Sequence, residues 1–275
     1  MTVKKTGNEL SISEFAALMG TSRQTLIYYD RIGLLTPARV DPHTGYRRYD
    51  RRQIGVLSLI QTLSGLGVPL AEIRHELTGV SPGRMEAVLR RQRQVLRAER
   101  EKLRRREAMI GLRLAQIAES RAAREGTAAL VRETEPVPLF VSGPVHCPKS
   151  AVPDRLVVDF YAAADRQGLP MGYPMGYLVS AADIAAGRAV MASRLAFHLG
   201  SADGANRFLP AGLRLVAWER SECGGTPAAY ARLLAEAVRC GLRPAGDAFE
   251  EYLLDETTCA RPQDFLVRLA LPVEA

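Results

Sequence analysis

Ser11-Ile12-Ser13-Glu14, Thr25-Leu26-Ile27-Tyr28-Tyr29-Asp30 and Gly45-Tyr46-Arg47-Arg48-Tyr49 punctuate residues 11–49. Ser11 and Glu14 have the spacing of a capping box, in which each side chain satisfies the other residue's backbone N–H. Leu10 and Phe15 flank that box as a hydrophobic staple. Ile12, Phe15, Ala16 and Met19 then recur at helical spacing until Gly20 stops the helix. Thr21 or Ser22 starts a second helix with Leu26 and Tyr29 on its inner side. Two short helices joined by Gly20-Thr21 predict a helix-turn-helix, closed by Gly33-Leu34-Leu35. Residues 36–49 hold two prolines and a Thr44-Gly45 turn, predicting a short hairpin or wing.

Beyond the wing, Ile54, Leu57, Ile60 and Leu63 predict a helix over 50–65, ended by Gly67. Pro69 stands where a first helical turn tolerates proline and leads Leu70, Ile73 and Leu77. Ser81-Pro82 opens the longest predicted helix, residues 82–120. Leu89, Leu96, Leu103, Ile110 and Ile117 recur at every seventh position, backed by Val88, Val95 and Met109, which is the pattern of a coiled-coil seam. Gln92, Glu99, Arg106 and Arg113 weaken its second row. A surface helix packed on its own domain is one reading. A dimerisation arm is favoured, because a narrow seam on a long charged helix needs a partner to bury it.

Residues 121–136 read as a linker. Beyond it, strand-like stretches at 137–141, 173–180, 190–199, 212–219, 247–254 and 264–271 alternate with amphipathic helices near 153–167 and 227–240. The expected architecture is therefore α + (α+β). A winged helix-turn-helix occupies 1–78, a dimerisation coiled-coil helix 79–120, the linker 121–136, and an α+β domain 137–275. Pro170-Met171-Gly172-Tyr173 repeats at once as Pro174-Met175-Gly176-Tyr177. Tandem slippage in a loop explains the repeat, and so does a pocket lined by soft methionines and flat tyrosines.

The net charge of +7 on 275 residues conceals a split. Residues 1–124 hold 23 Lys/Arg against 12 Asp/Glu, whereas residues 125–275 hold 14 against 18. The basic part suits a polyanion, and the acidic part suits water or a neutral or cationic small molecule. No apolar run is long enough to span a membrane, and no apolar stretch follows Lys4-Lys5 to make a secretion signal. A cytoplasmic protein is expected. Cys147, Cys223, Cys240 and Cys259 lie far apart, which predicts free thiols rather than a disulfide frame or a metal site. The four histidines (His43, His75, His146, His198) are dispersed, so neither a metal set nor a catalytic residue is expected.

Arg47, Arg48, Arg51 and Arg52, interleaved with Tyr46 and Tyr49, concentrate cations and hydroxyls that grip phosphate. Arg23, Gln24 and Tyr28 add donors on the second helix, Arg and Gln having the fork geometry to read base edges. A solvated charge run is the bland alternative. These motifs, with Gly33-Leu34-Leu35 and Gly67-Val68-Pro69-Leu70-Ala71-Glu72-Ile73, make residues 10–78 resemble the N-terminal domain of the MerR family of transcription regulators. The resemblance implies a homodimer joined by an antiparallel coiled coil, with a helix in each major groove and wings on the backbone. It implies distortion of a promoter when a ligand arrives, so that RNA polymerase is engaged indirectly. One departure is Ile27, where the family usually has an arginine. Cysteine-based metal and redox sensing, known in the family just after the DNA-binding domain or at the end of the dimer helix, is not expected, because no cysteine precedes Cys147.

The second half resembles a GyrI-like effector-binding domain. The resemblance rests on Gly224-Gly225-Thr226-Pro227 ahead of a helix with Tyr230, on Gly246-Asp247-Ala248-Phe249-Glu250-Glu251-Tyr252, and on Phe265 to Pro272. It implies that Glu250 sits at the floor of an aromatic pocket and neutralises a cationic drug. From the residues alone, alternation puts Ala248, Glu250, Tyr252 and Leu254 on one strand face, where a carboxylate beside a ring suits a cation. An edge-strand charge in solvent is the alternative. Trp218, Tyr173, Tyr177 and Phe197 are candidate pocket walls or plain core. The expected function is a regulator, most simply an activator, sensing a lipophilic molecule, cationic or neutral, or an antibiotic. A GyrI-like hydrolase or binding protein fused to a DNA-binding domain, with Glu250 or Glu251 as general base, and an effector-independent repressor are the rivals.

Overall fold

A computed structural model describes residues 9–78, 81–221 and 224–275. Cys223 and the Lys4-Lys5 segment lie outside the described residues. The chain divides into two compact units, residues 1–99 and 100–275.

In the first unit β1 (Glu9–Ser11) leads into α1 (Ile12–Leu18) and α2 (Arg23–Arg31). The capping box forms as read: Ser11 N donates to Glu14 Oε2 at 2.8 Å and Glu14 N donates to Ser11 Oγ at 3.2 Å. Ser22 caps α2 by accepting from Thr25 N at 2.9 Å. β2 (Arg39–Val40) and β3 (Arg47–Asp50) form the wing, and β3 also pairs with β1. That third strand was not legible in the sequence, since three residues ahead of a cap carry no alternation of their own. α3 (Gln53–Gly65) and α4 (Leu70–Leu77) complete the unit. Their side chains cap the helix-turn-helix: Gln61 Nε2 donates to Met19 O at 2.9 Å, and Arg74 Nη1 donates to Ile32 O at 2.8 Å. Phe15, Leu26, Leu34, Leu57, Ile60, Leu63 and Ile73 form the buried core.

α5 runs unbroken from Pro82 to Ala122, as the seven-residue repeat predicted. Leu89, Leu96, Leu103 and Ile110 are all exposed along it.

The second unit holds β4 (Ala128–Glu133), β5 (Val137–Val141), β6 (Cys147–Pro148), α6 (Asp154–Arg166), β7 (Met175–Val179) and α7 (Ala181–Ala185). There follow β8 (Met191–Ala192), β9 (Arg194–His198), β10 (Arg207–Leu209), β11 (Gly212–Arg220), α8 (Pro227–Arg239), β12 (Arg243–Pro244), β13 (Ala248–Leu254) and β14 (Leu266–Glu274). The main sheet is antiparallel in the order β10-β5-β9-β7-β13-β14-β11-β4, with β12 beside β14. Its plan is a strand–helix–strand–strand unit used twice: β5-α6-β7-β9, then β11-α8-β13-β14. The two halves join where β7 meets β13, with Glu250 opposite Tyr177 in register. One face carries Leu195, Phe197, Leu215 and Leu269 under Phe160 of α6 and Tyr230 and Leu233 of α8.

One boundary is corrected. Residues 128–133, read as linker, form β4, the strand beside β11, so the sheet begins before residue 137. Its half-exposed alternation is too weak to announce a strand without the β11 ladder beside it.

Candidate nucleic-acid interface and ligand cleft

Arg23, Gln24 and Tyr28 are exposed on α2, with Tyr28 one helical turn beyond the Arg23-Gln24 pair that follows the Ser22 cap. In the wing, Asp41 Oδ1 accepts from His43 N at 2.9 Å and Thr44 N at 3.0 Å, and Gly45 at φ 68° completes the turn. These N–H groups hold the Asp41 carboxyl below its usual range. The turn presents Tyr46, which is 65% exposed. Alternation along β3 then splits the basic-aromatic cluster in two. Arg48 has no ion-pair partner in the protein among the described residues. Arg47 turns to α2, its Nε donating to Asp30 Oδ2 at 2.8 Å. Tyr49 is fully buried, stacked on Phe15 with ring centroids 4.6 Å apart and planes 3° from parallel. Tyr49, read as a DNA contact, is therefore a core residue that fixes the wing onto α1. Its alternation with Arg48 was the signal that could have separated them. Ile27 is exposed on α2.

In the second unit, Tyr177 and Tyr252 flank Glu250, one across the ladder and one two residues along its own strand, and their rings meet edge to face at 6.4 Å. With Val157 and Tyr161 of α6, Met175 of β7 and Phe265 they line a cleft of about 330 Å³ whose rim bears Asp255 and Glu256. The second copy of the tandem repeat, Pro174 to Tyr177, supplies Met175 and Tyr177 to this cleft. Gly176 lies so close to β13 that a Cβ there would stand 2.2 Å from the Glu250 carbonyl oxygen, so only glycine lets β7 approach.

Glu250, between the two tyrosines in the sheet, differs from the expectation and does not line the cleft. Glu250 is neither exposed nor on an edge strand: it is fully buried in the middle of the sheet. Its Oε1 pairs with Lys149 Nζ and accepts from Thr226 Oγ1 at 2.9 Å, while Lys149 Nζ also donates to Thr226 Oγ1 at 2.8 Å. Lys149 comes from a single 3-10 turn, Lys149–Ala151, and Thr226 from the N-terminus of α8. The Tyr230 ring lies 5.4 Å from the ammonium, and burial first, then Glu250, pushes its hydroxyl well above the ordinary phenol range. Sequence reasoning missed Lys149, which stands 101 residues from Glu250 with no local pattern to single it out.

Three other candidate walls lie elsewhere. Phe197 packs on Phe160 at 4.5 Å, and Tyr173 packs on Phe197 at 6.1 Å, both as core. Trp218 pairs in register with Arg268, which puts it on the opposite sheet face, where its Nε1 donates to Glu119 of α5 at 2.9 Å. That face carries a second charged group. Glu251 Oε1 accepts from Gln116 Nε2 at 2.7 Å and pairs with His198 Nδ1 at 2.5 Å, and Arg268 bridges Glu119 and Glu133. Burial alone would raise the Glu251 carboxyl. His198, Arg268 and Gln116 outweigh it and hold the group down to about 2. Adjacent residues of β13 thus serve two different sites: Glu250 behind the cleft, and Glu251 against the end of α5.

Three described cysteines, Cys147, Cys240 and Cys259, carry free thiols. No helix among the described residues is long and apolar enough to cross a membrane.

Residues 10–80 match the model of the MerR HTH family regulatory protein. The multidrug-efflux transporter 2 regulator of Bacillus subtilis is 24% identical over 265 residues, 95% of each chain. The multidrug-efflux transporter 1 regulator of the same organism is 45% identical over 64 residues, 23% of each chain. The cryo-EM structure of the EcmrR–DNA complex in EcmrR-RPo aligns with 96% of this chain and 99% of that chain, at 18% identity and a TM-score of 0.43. The capped helix pair and wing, together with the match over residues 10–80, identify the N-terminal part of this chain as a helix-turn-helix domain of the MerR type.

Proposed function

We propose that the chain is a cytoplasmic, homodimeric regulator of promoter DNA whose affinity or geometry on the duplex changes when a lipophilic small molecule enters the cleft behind Tyr177 and Tyr252. The observation that carries this reading is the conjunction, in one chain, of an exposed basic helix-and-wing surface and an aromatic cleft. Arg23, Gln24, Tyr28, Tyr46 and Arg48 supply the DNA contacts, with Arg47 positioned by Asp30. Leu89, Leu96, Leu103, Ile110 and Ile117 supply the dimer seam. The C-terminal unit acts as a GyrI-like effector domain, and RNA polymerase is engaged through the DNA rather than by direct contact.

The mechanism is differential affinity: a ligand that fits one arrangement of the dimer better moves the population toward it. Switching from mostly off to mostly on takes about 5.5 kcal/mol of such preference. Bending a promoter-sized duplex costs on the order of 1–6 kcal/mol, so one cleft per protomer can carry the load.

Catalysis is the weaker reading. Thr226 with Lys149 and Glu250 has the composition of a hydroxyl, base and carboxylate set, but Thr226 and Glu250 are both at 0% exposure. A substrate carbonyl has no route to that oxygen. The deciding experiment is footprinting of the region upstream of the gene with and without compounds that raise the melting temperature. Ligand-dependent change in the footprint is expected. Turnover of the bound compound, or a footprint that no binding compound alters, would overturn the reading.

A further inference from the structure

We infer that the cleft selects uncharged aromatic molecules over lipophilic cations, because Lys149 already occupies the counter-ion position of Glu250. This rests on the reading of the cleft as the effector site and names the class of ligand it takes.

A lipophilic cation leaving water gains most from a carboxylate whose charge is not already balanced. Around this cleft the buried carboxylates are both balanced. Glu250, behind Tyr177 and Tyr252, pairs with Lys149, and both side chains have no exposed surface. Thr226 completes a closed triangle by bonding to both. Asp255 on the rim pairs with Arg113 Nη2 at 3.1 Å and accepts from Thr257 N and Oγ1. Glu256 stays as the rim carboxylate facing water. A solvent-screened charge at a rim speeds encounter and adds little preference once the ligand is inside. A cation entering here loses its hydration and meets, beyond the tyrosine faces, a neutral ion pair with an ammonium of its own sign. An uncharged ring system pays no such cost of desolvation and finds Tyr161, Tyr177, Tyr252, Phe265, Met175 and Val157. The same geometry implies that removing the Lys149 charge converts the preference.

The test compares acridine, uncharged at mildly alkaline pH, with the permanent cation 10-methylacridinium, a flat probe of nearly equal size, by fluorescence titration of the full chain. Wild-type protein is expected to bind acridine about tenfold or more tighter. Lys149→Met is expected to reverse the order by releasing Glu250. The double variant Lys149→Met/Glu250→Gln removes both charges and is expected to restore preference for acridine. Tyr252→Ala is expected to weaken both probes, which ties the binding to this cleft. Tighter binding of 10-methylacridinium to wild type overturns the inference, even where Lys149→Met fails to fold. So does a folded Lys149→Met protein with an unchanged preference. If wild type binds neither probe, or Tyr252→Ala weakens neither, the assignment of the cleft as effector site falls and this inference falls with it.

Discussion

Tyr49 and Glu251 show how single positions divide the work. Tyr49 sits within a run of arginines and tyrosines, yet its ring is sealed against Phe15 and its hydroxyl has no hydrogen-bond partner among the described residues. Tyr49→Ala is expected to cost about 3–5 kcal/mol in chemical denaturation, as loss of a buried ring does. Tyr49→Phe is expected to leave both stability and DNA affinity near wild type, and a marked loss of affinity in that variant would return the hydroxyl to the DNA surface. Glu251 gives a pH signature. Its folded-state pKa, about 2, is depressed below the unfolded value, about 4.3. Its contribution to stability is therefore complete above the unfolded value and lost as the pH falls through the folded one. The stability difference between wild type and Glu251→Gln, followed by thermal melting, is expected to shrink from pH about 5 toward pH about 2. A constant difference across that window would show that Glu251 is not held ionised. Local spacing made the capping box and the exposed α2 residues readable, since both depend on neighbours within one turn. Lys149 was not readable, because its partner lies across the fold.

α5 carries two patterns on one helix, and only one was apparent in advance. The seven-residue seam stood out because apolar residues interrupt a charged helix at fixed intervals. Its weak second row has a structural reason in the second unit: Arg113 pairs with Asp255, and Gln116 is buried on Glu251, so that side of the helix serves its own sheet. Gly200 shows the closeness, since a Cβ there would stand 2.1 Å from the Ala108 carbonyl oxygen. Leu96 and Leu103, by contrast, are 49% and 54% exposed in the single chain. Leu96→Glu/Leu103→Glu is expected to leave circular dichroism and domain melting intact while abolishing the dimer in sedimentation velocity. DNA affinity is expected to fall by about 100-fold or more, because the second half-site loses its tether. A dimer that survives both substitutions would place the seam elsewhere. The edge strand β4 escaped notice for the opposite reason: what marks it is a ladder with β11, eighty residues away, rather than a periodicity of its own.

For the whole molecule, the charge split assigns the halves different solvents, and α5 is the element common to both units. Binding by the basic half is expected to depend on salt, and Arg48→Ala is expected to reduce the log–log slope by about 2 per dimer, one phosphate contact from each protomer. Linkage then constrains the rest. If a cleft ligand changes DNA affinity by some factor, DNA must change ligand affinity by the same factor. The Glu251–Gln116 hydrogen bond ties β13, whose preceding residue backs the cleft, to α5. Gln116→Leu removes a donor from Glu251, but Glu251 keeps His198 and Arg268, so the domain is expected to fold and to bind ligand within about threefold of wild type. The coupling factor, measured from either direction, is expected to fall toward one. If it stays at the wild-type value while ligand and DNA each bind normally, the signal does not travel through this contact, and β13 communicates with the helix by another route.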